Sequence, residues 1–157
     1  MPFLYQPQEQ TLLGHMAKAN PHWQQLEKQN VLIVLQGPHA YISPSWYLNP
    51  GVPTWNYQAV HIYGRATCFQ DSEKLKNIVD RLTAENEAAF DKPWKPDYEA
   101  TMLRGIVGIK IEIEDIQCKF KLNQNRDIDD QKNVSTQLRL IGETALAKAM
   151  EDEIGNS

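Results

Sequence analysis

The chain has 157 residues, 41% of them hydrophobic and 23% charged, and a net charge of −4. Length and composition fit one globular domain with a sizeable core. The acidic balance removes the general attraction to phosphate backbones on which most nucleic-acid binding rests. No apolar run approaches the ~20 residues of a membrane helix, and MPFLYQPQEQ lacks the basic and apolar regions of a secretory signal. Cys68 and Cys118 are too few for a disulfide scaffold and show no metal spacing. Two buried free thiols in a cytoplasmic protein are therefore expected.

In chain order, Thr11 to Met16 reads as a short strand. Asn20 is a good N-cap and Pro21 fits the first helical position, so a short helix is expected to run to about Lys28. Val31 to Leu35 is continuously apolar and rich in β-branched residues, as in a strand covered on both faces. Gly37-Pro38 predicts a bend or bulge, and His39 to Ser43 continues the strand. Three prolines and Gly51 make Ser43 to Thr54 a loop. From Gln58 to Phe69 a strand places Val60, Ile62, Gly64, Ala66 and Cys68 on one face. His61, Tyr63, Arg65 and Thr67 share the other.

Ser72 is the expected cap of a helix reaching about Phe90, with Leu75, Ile78, Val79 and Leu82 at helical spacing. Lys92 to Pro96 forms a rigid connector. Val107, Ile109, Ile111 and Ile113 alternate with Gly108, Lys110, Glu112 and Glu114, the clearest strand in the chain. Ile116 to Leu122 extends it past a bend, and Gln124 to Asp130 is a polar loop. Two short helices follow, broken near Gly142, and the final Glu-Ile-Gly-Asn-Ser is expected to fray. The strands do not alternate regularly with helices. That pattern favours a mostly β, antiparallel barrel with peripheral helices, an α+β arrangement, over a doubly wound parallel sheet.

The candidate chemistry is concentrated early in the chain. All four histidines, His15, His22, His39 and His61, fall in the first 61 residues, and six of fourteen aromatics lie between Tyr41 and Tyr63. Such a cluster suits a planar heterocycle or a subunit interface, and equally a plain core. The histidine spacings of 7, 17 and 22 form no helical metal pair. No nucleophile motif, P-loop or dinucleotide fingerprint is present. Gly14 to Pro21 joins a strand end to a helix start, with Lys18 and His15 beside the cap. A phosphate would fit there; a solvated lysine at an ordinary cap fits too.

Several segments together resemble one family. GHMAKANPHW (Gly14 to Trp23), QGPHAYISPSWY (Gln36 to Tyr47), VPTWNYQAVHIYG (Val52 to Gly64), GIVGIKIEIED (Gly105 to Asp115) and KFKLNQNR (Lys119 to Arg126) are similar to the PaiB family of FMN-binding negative transcriptional regulators. The resemblance implies an FMN-binding split β-barrel over residues 1–157. Residues 1–126 would form the barrel, with a helix inserted at 72–90, and residues 127–157 the C-terminal helices. It implies a cytoplasmic homodimer with FMN at the subunit interface. Family members carry a further N-terminal segment ahead of the point where this chain begins, so a sheet edge and apolar surface are expected to be exposed.

Within that frame, His15, Lys18 and Asn20 are candidates for the phosphate. Trp55, Asn56 and Tyr57 would line the ring or its edge. His61 and Arg65 project toward the same side or the dimer partner, and Lys119, Lys121, Gln124 and Asn125 would close the site. The alternative implied by the same barrel is a flavin-dependent oxidoreductase or a haem-degrading enzyme using His39 or His61. Direct DNA binding is not expected. The C-terminal helices set Lys132, Arg139 and Lys148 against Glu143, Glu151, Asp152 and Glu153, a mixed surface.

Overall fold

Alternating apolar residues build the strands, and a computed structural model describes residues 1–155, the Ala100 side chain excepted. Five strands form one sheet: β1 (Leu4–Gln6), β2 (Thr11–Ala17), β3 (Asn30–Ile42), β4 (Thr54–Phe69) and β5 (Ile106–Lys121). Their order in the sheet is β1-β2-β5-β4-β3. The sheet is antiparallel. β1 pairs with β2 through Tyr5↔Leu12, and β2 pairs with β5 through Leu12↔Ile111 and His15↔Gly108. The helices are α1 (His22–Leu26), α2 (Ser72–Glu87), α3 (Ile128–Leu140) and α4 (Thr144–Gly155). The fold is thus mostly β with peripheral helices, as the sequence pattern predicts.

The described residues divide into two units. Unit one comprises residues 1–33 and 62–116; unit two comprises residues 34–61 and 117–157. β3, β4 and β5 each contribute to both.

In unit one the period-two face of β5 buries Val107, Ile109 and Ile111. Leu4 of β1 packs with Ile78 and Leu82 of α2, and Leu13 and Phe69 lie against them. α2 presents Leu75, Ile78 and Leu82 inward at helical spacing. Its cap is Asp71, not Ser72: the Asp71 carboxylate accepts the Lys74 N–H at 2.9 Å. At Gly14 a Cβ would meet the Phe3 ring at 2.9 Å and the Pro2 carbonyl at 3.0 Å, so the start of the chain lies directly against β2.

Unit two has its own core of Ala40, Ile42, Tyr47, Leu122, Val134, Leu138, Leu146, Ala147 and Met150. α3 and α4 form a hairpin that turns at Gly142, whose φ of +88° suits glycine. The buried Asp130 carboxylate accepts the N–H groups of Leu48 (2.6 Å) and Asn49 (3.3 Å). α3 thereby ties down the loop that follows the 3-10 turn at Pro44–Trp46.

Five local expectations are corrected. Val31 to Leu35 is not covered on both faces: Leu32, Val34 and Leu35 are about half exposed, because β3 is an edge strand. Gly37-Pro38 does not interrupt it, since an edge strand tolerates a proline that cannot donate to the ladder. β5 runs unbroken to Lys121. Cys118 is exposed rather than buried, while Cys68 is half-buried. α4 extends to Gly155, and Asn156 and Ser157 of the expected frayed end lie outside the described residues.

Candidate functional site

The candidate residues sort by unit. In unit one, the end of β2 and the turn into α1 open onto a cavity of about 430 Å³. Met1, Phe3, Met16, Leu26, Val31, Ile33, Ile109 and Ile111 give it apolar walls; His15, Asn20 and His22 supply its polar groups. No lysine or arginine lines it among the described residues. Nδ1 of His15 is buried and has no hydrogen-bond partner. Burial pushes the His15 imidazole below its ordinary pKa of 6.5 and favours the neutral ring.

The N-cap of α1 is Pro21 rather than the expected Asn20; Asn20, one residue earlier, bonds into the same turn, its Oδ1 accepting the His22 N–H at 3.0 Å. Lys18 does not line the cavity. Its Nζ donates to the Arg104 carbonyl at 3.3 Å, and its own carbonyl accepts the Trp23 indole N–H at 3.1 Å. Arg65, also in unit one, is exposed on β4. His22 belongs to the cavity and was absent from the sequence-derived set. The signal was available, because it lies two residues beyond Asn20 in the same turn.

In unit two, Trp55 stacks on His39 with ring centroids 5.9 Å apart and an interplanar angle of 26°. Tyr41 approaches the same indole at 6.5 Å. Tyr57, Ala59, His61, Gln117, Cys118 and Lys119 line a second cavity of about 320 Å³. Asn56 points the other way: it is fully buried, its amide faces the Met150 sulfur at 3.5 Å, and its Oδ1 has no partner. The Lys121 ammonium donates to the Thr54 hydroxyl. Gln124 folds back on its own loop, accepting from the Leu122 N–H and donating to the Phe120 carbonyl. Asn125 is exposed. Sequence reasoning also missed how Arg126 lies over the Tyr47 ring at 4.2 Å, although both sit in the quoted motifs.

A family model described as "Putative FMN-binding domain" matches residues 1–115. Protease synthase and sporulation protein PAI 2 of Bacillus subtilis (strain 168) is 42% identical over 152 residues, spanning 91% of this chain and 73% of that protein. This chain belongs to the PaiB family.

Among solved structures, the PaiB-family chain is similar to the flavocytochrome Anf3 from Azotobacter vinelandii, with a TM-score of 0.51 and 20% identity. It is also similar to the FAD and heme binding protein from Mycobacterium smegmatis, with a TM-score of 0.52 and 13% identity. The matches cover 82% and 78% of this chain, and 57% and 58% of the two solved chains. At those identities the likeness speaks for the fold, and it agrees with the split-barrel expectation.

Family membership assigns FMN as the cofactor. The unit-one cavity fits a flavin: its volume lies in the usual range for small-molecule sites, its walls are apolar, and His15, Asn20 and His22 bring polar side chains to it. When bound, FMN supplies one- and two-electron redox chemistry. His15, Asn20 and His22 are the residues of this chain that would hold it from within unit one.

Proposed function

We propose that the chain is a cytoplasmic, homodimeric flavoprotein that holds FMN in the unit-one cavity and acts as a negative regulator of transcription. The observation that carries the cofactor site is an apolar-walled cavity of about 430 Å³ whose polar side chains are His15, Asn20 and His22. Asn20 and His22, in the turn into α1, are the polar rim for the cofactor's phosphate.

Support for the dimer comes from the surface of unit two. Val34, Leu35, Tyr41, Trp55 and Phe120 are each 45% exposed or more. β3 carries no charged residue in its whole length, although it is an edge strand. Edge strands in monomers are normally guarded by charge, and apolar surface of this kind favours a covering chain. On this reading Trp55, Tyr57, His61 and Lys119 serve the seam between copies.

Regulation would then proceed without a DNA-reading helix. In the hairpin of α3 and α4, Arg139 is bound to Glu151 and Lys148 to Asp152, so two of its cations are already engaged. Three measurements test the proposal. FMN added to the purified protein loses fluorescence and raises the melting temperature; no change at high micromolar FMN removes the cofactor site. Sedimentation gives a dimer; a monomer at the same concentration removes the seam. No gel shift appears at physiological salt; a tight, saturable shift on a defined operator overturns the indirect route.

A further inference from the structure

We propose a second small-molecule site in unit one, one that takes a zwitterion with an apolar body, the chemistry of the large apolar α-amino acids. It uses none of the residues assigned to FMN and goes beyond that reading. A cavity of about 570 Å³ lies between α2 and the sheet. Leu13 on β2, Phe69 on β4 and Ile78 on α2 give it an apolar floor, and Leu13 and Phe69 are only half-buried. The register Leu13↔Lys110 puts those two side chains on one face of the sheet. Alternation along β5 sends Ile109 and Ile111 to the other face, and these two line the cavity proposed for FMN. The two cavities share no lining residue.

The charges around that floor decide the ligand. Lys74 and Lys110 are its cationic residues and Glu9 and Glu73 its anionic ones, so the lining carries no net formal charge. Lys110 is engaged by Glu112 at 3.2 Å. Glu9, Glu73 and Lys74 are exposed and join no ion pair among the described residues. They stand on separate elements, Glu9 between β1 and β2 and the other two in the first turn of α2. A plain anion would meet two carboxylates and a plain cation two ammonium groups; a ligand with one charge of each sign answers both. Its carboxylate goes to Lys74 and the neighbouring Asn77 amide, and its ammonium to the carboxylates of Glu9 and Glu73. An apolar side chain on the same ligand covers Leu13 and Phe69 and gains from taking that surface out of water.

The test is heteronuclear NMR of the full chain titrated with L-phenylalanine, phenylpropanoate and phenylethylamine, which share a ring and carry both charges, the carboxylate alone or the ammonium alone. Phenylalanine shifts the amide signals of Thr67, Lys74, Asn77 and Lys110 saturably. It binds about fivefold more tightly than either analogue, the worth of one exposed charge pair. Lys74→Gln weakens phenylalanine and phenylpropanoate and leaves phenylethylamine unchanged. Glu9→Gln combined with Glu73→Gln does the converse. All three positions are exposed, so the variants keep the fold. No saturable shift at those amides at high millimolar phenylalanine overturns the site, and so does phenylpropanoate binding as tightly as phenylalanine. A parallel FMN titration keeps the two readings apart: phenylalanine bound without FMN removes the cofactor cavity alone, and FMN bound without phenylalanine removes this site alone.

Discussion

The two units use similar side chains in opposite ways. In unit one His15 lines an apolar-walled cavity, and its Nδ1 is buried without a partner. Unit two sets His39 and Trp55 together on the outside, with Trp55 49% exposed. The first arrangement suits a small molecule. The second is exposed apolar surface, suited to another protein face. Aromatic and histidine content alone does not separate these two uses; burial does.

The largest test of that contrast is Ile109→Ala. Ile109 is fully buried in unit one and lines the cavity, so truncation should cost about 3 kcal/mol in denaturant unfolding and weaken flavin binding. Trp55→Ala, on the unit-two surface, should change monomer stability by less than ~0.5 kcal/mol. Equal losses from the two substitutions would erase the distinction.

Asp130→Ala comes next. It removes the acceptor for two backbone N–H groups from a buried site, at a cost of about 2 kcal/mol. The loss should appear in thermal unfolding and leave riboflavin affinity unchanged, because Asp130 belongs to unit two.

Acid sharpens the contrast further. Hydrogen bonds from Arg139 and Ser135 hold the Glu151 carboxyl down at about 2, against an ordinary 4.5. Its contribution is complete above the unfolded value and disappears as the pH falls from 4.5 through about 2. The pair is solvent-exposed, so Glu151→Gln should remove less than ~1 kcal/mol of that acid sensitivity. His15 acts in a higher window. Its lowered value leaves the folded ring neutral, so stability falls as the pH drops below the unfolded 6.5 toward the folded value. A variant with asparagine at that position should lose this step while keeping the Glu151 step.

The smallest effect on folding is expected from Val34→Lys. Val34 is 55% exposed, and a lysine there should leave the unfolding midpoint nearly unchanged. If copies pair through this edge as proposed, sedimentation should show monomers in place of dimers, because the new charge guards the edge of β3.

Part of this site was legible early. Asn20 bonds into the turn before α1, one residue ahead of the N-cap Pro21, and the Gly142 break separates two helices as the pattern implied. The burial of Asn56 was within reach too. β4 begins at Thr54 rather than Gln58, and extending its period-two face backward from Ile62 and Gly64 places Asn56 on the buried side. Trp55 and Tyr57 then alternate to the other face. Asp130 was not legible in this way, since nothing local distinguishes a carboxylate in an acidic first helical turn that faces solvent from one that faces a loop 81 residues away.

By itself the sequence determined the elements, the buried faces of α2 and β5, and the family, because these follow from periodicity and from long, chemically unusual motifs. Only the tertiary structure decided that β3 is an exposed edge, that Lys18 is turned to a carbonyl, and that His15 lines an apolar cavity while its Nδ1 is buried without a partner. Each of those depends on which distant residues come to lie beside a side chain, and hydrogen bonding and desolvation respond to that neighbourhood rather than to position along the chain.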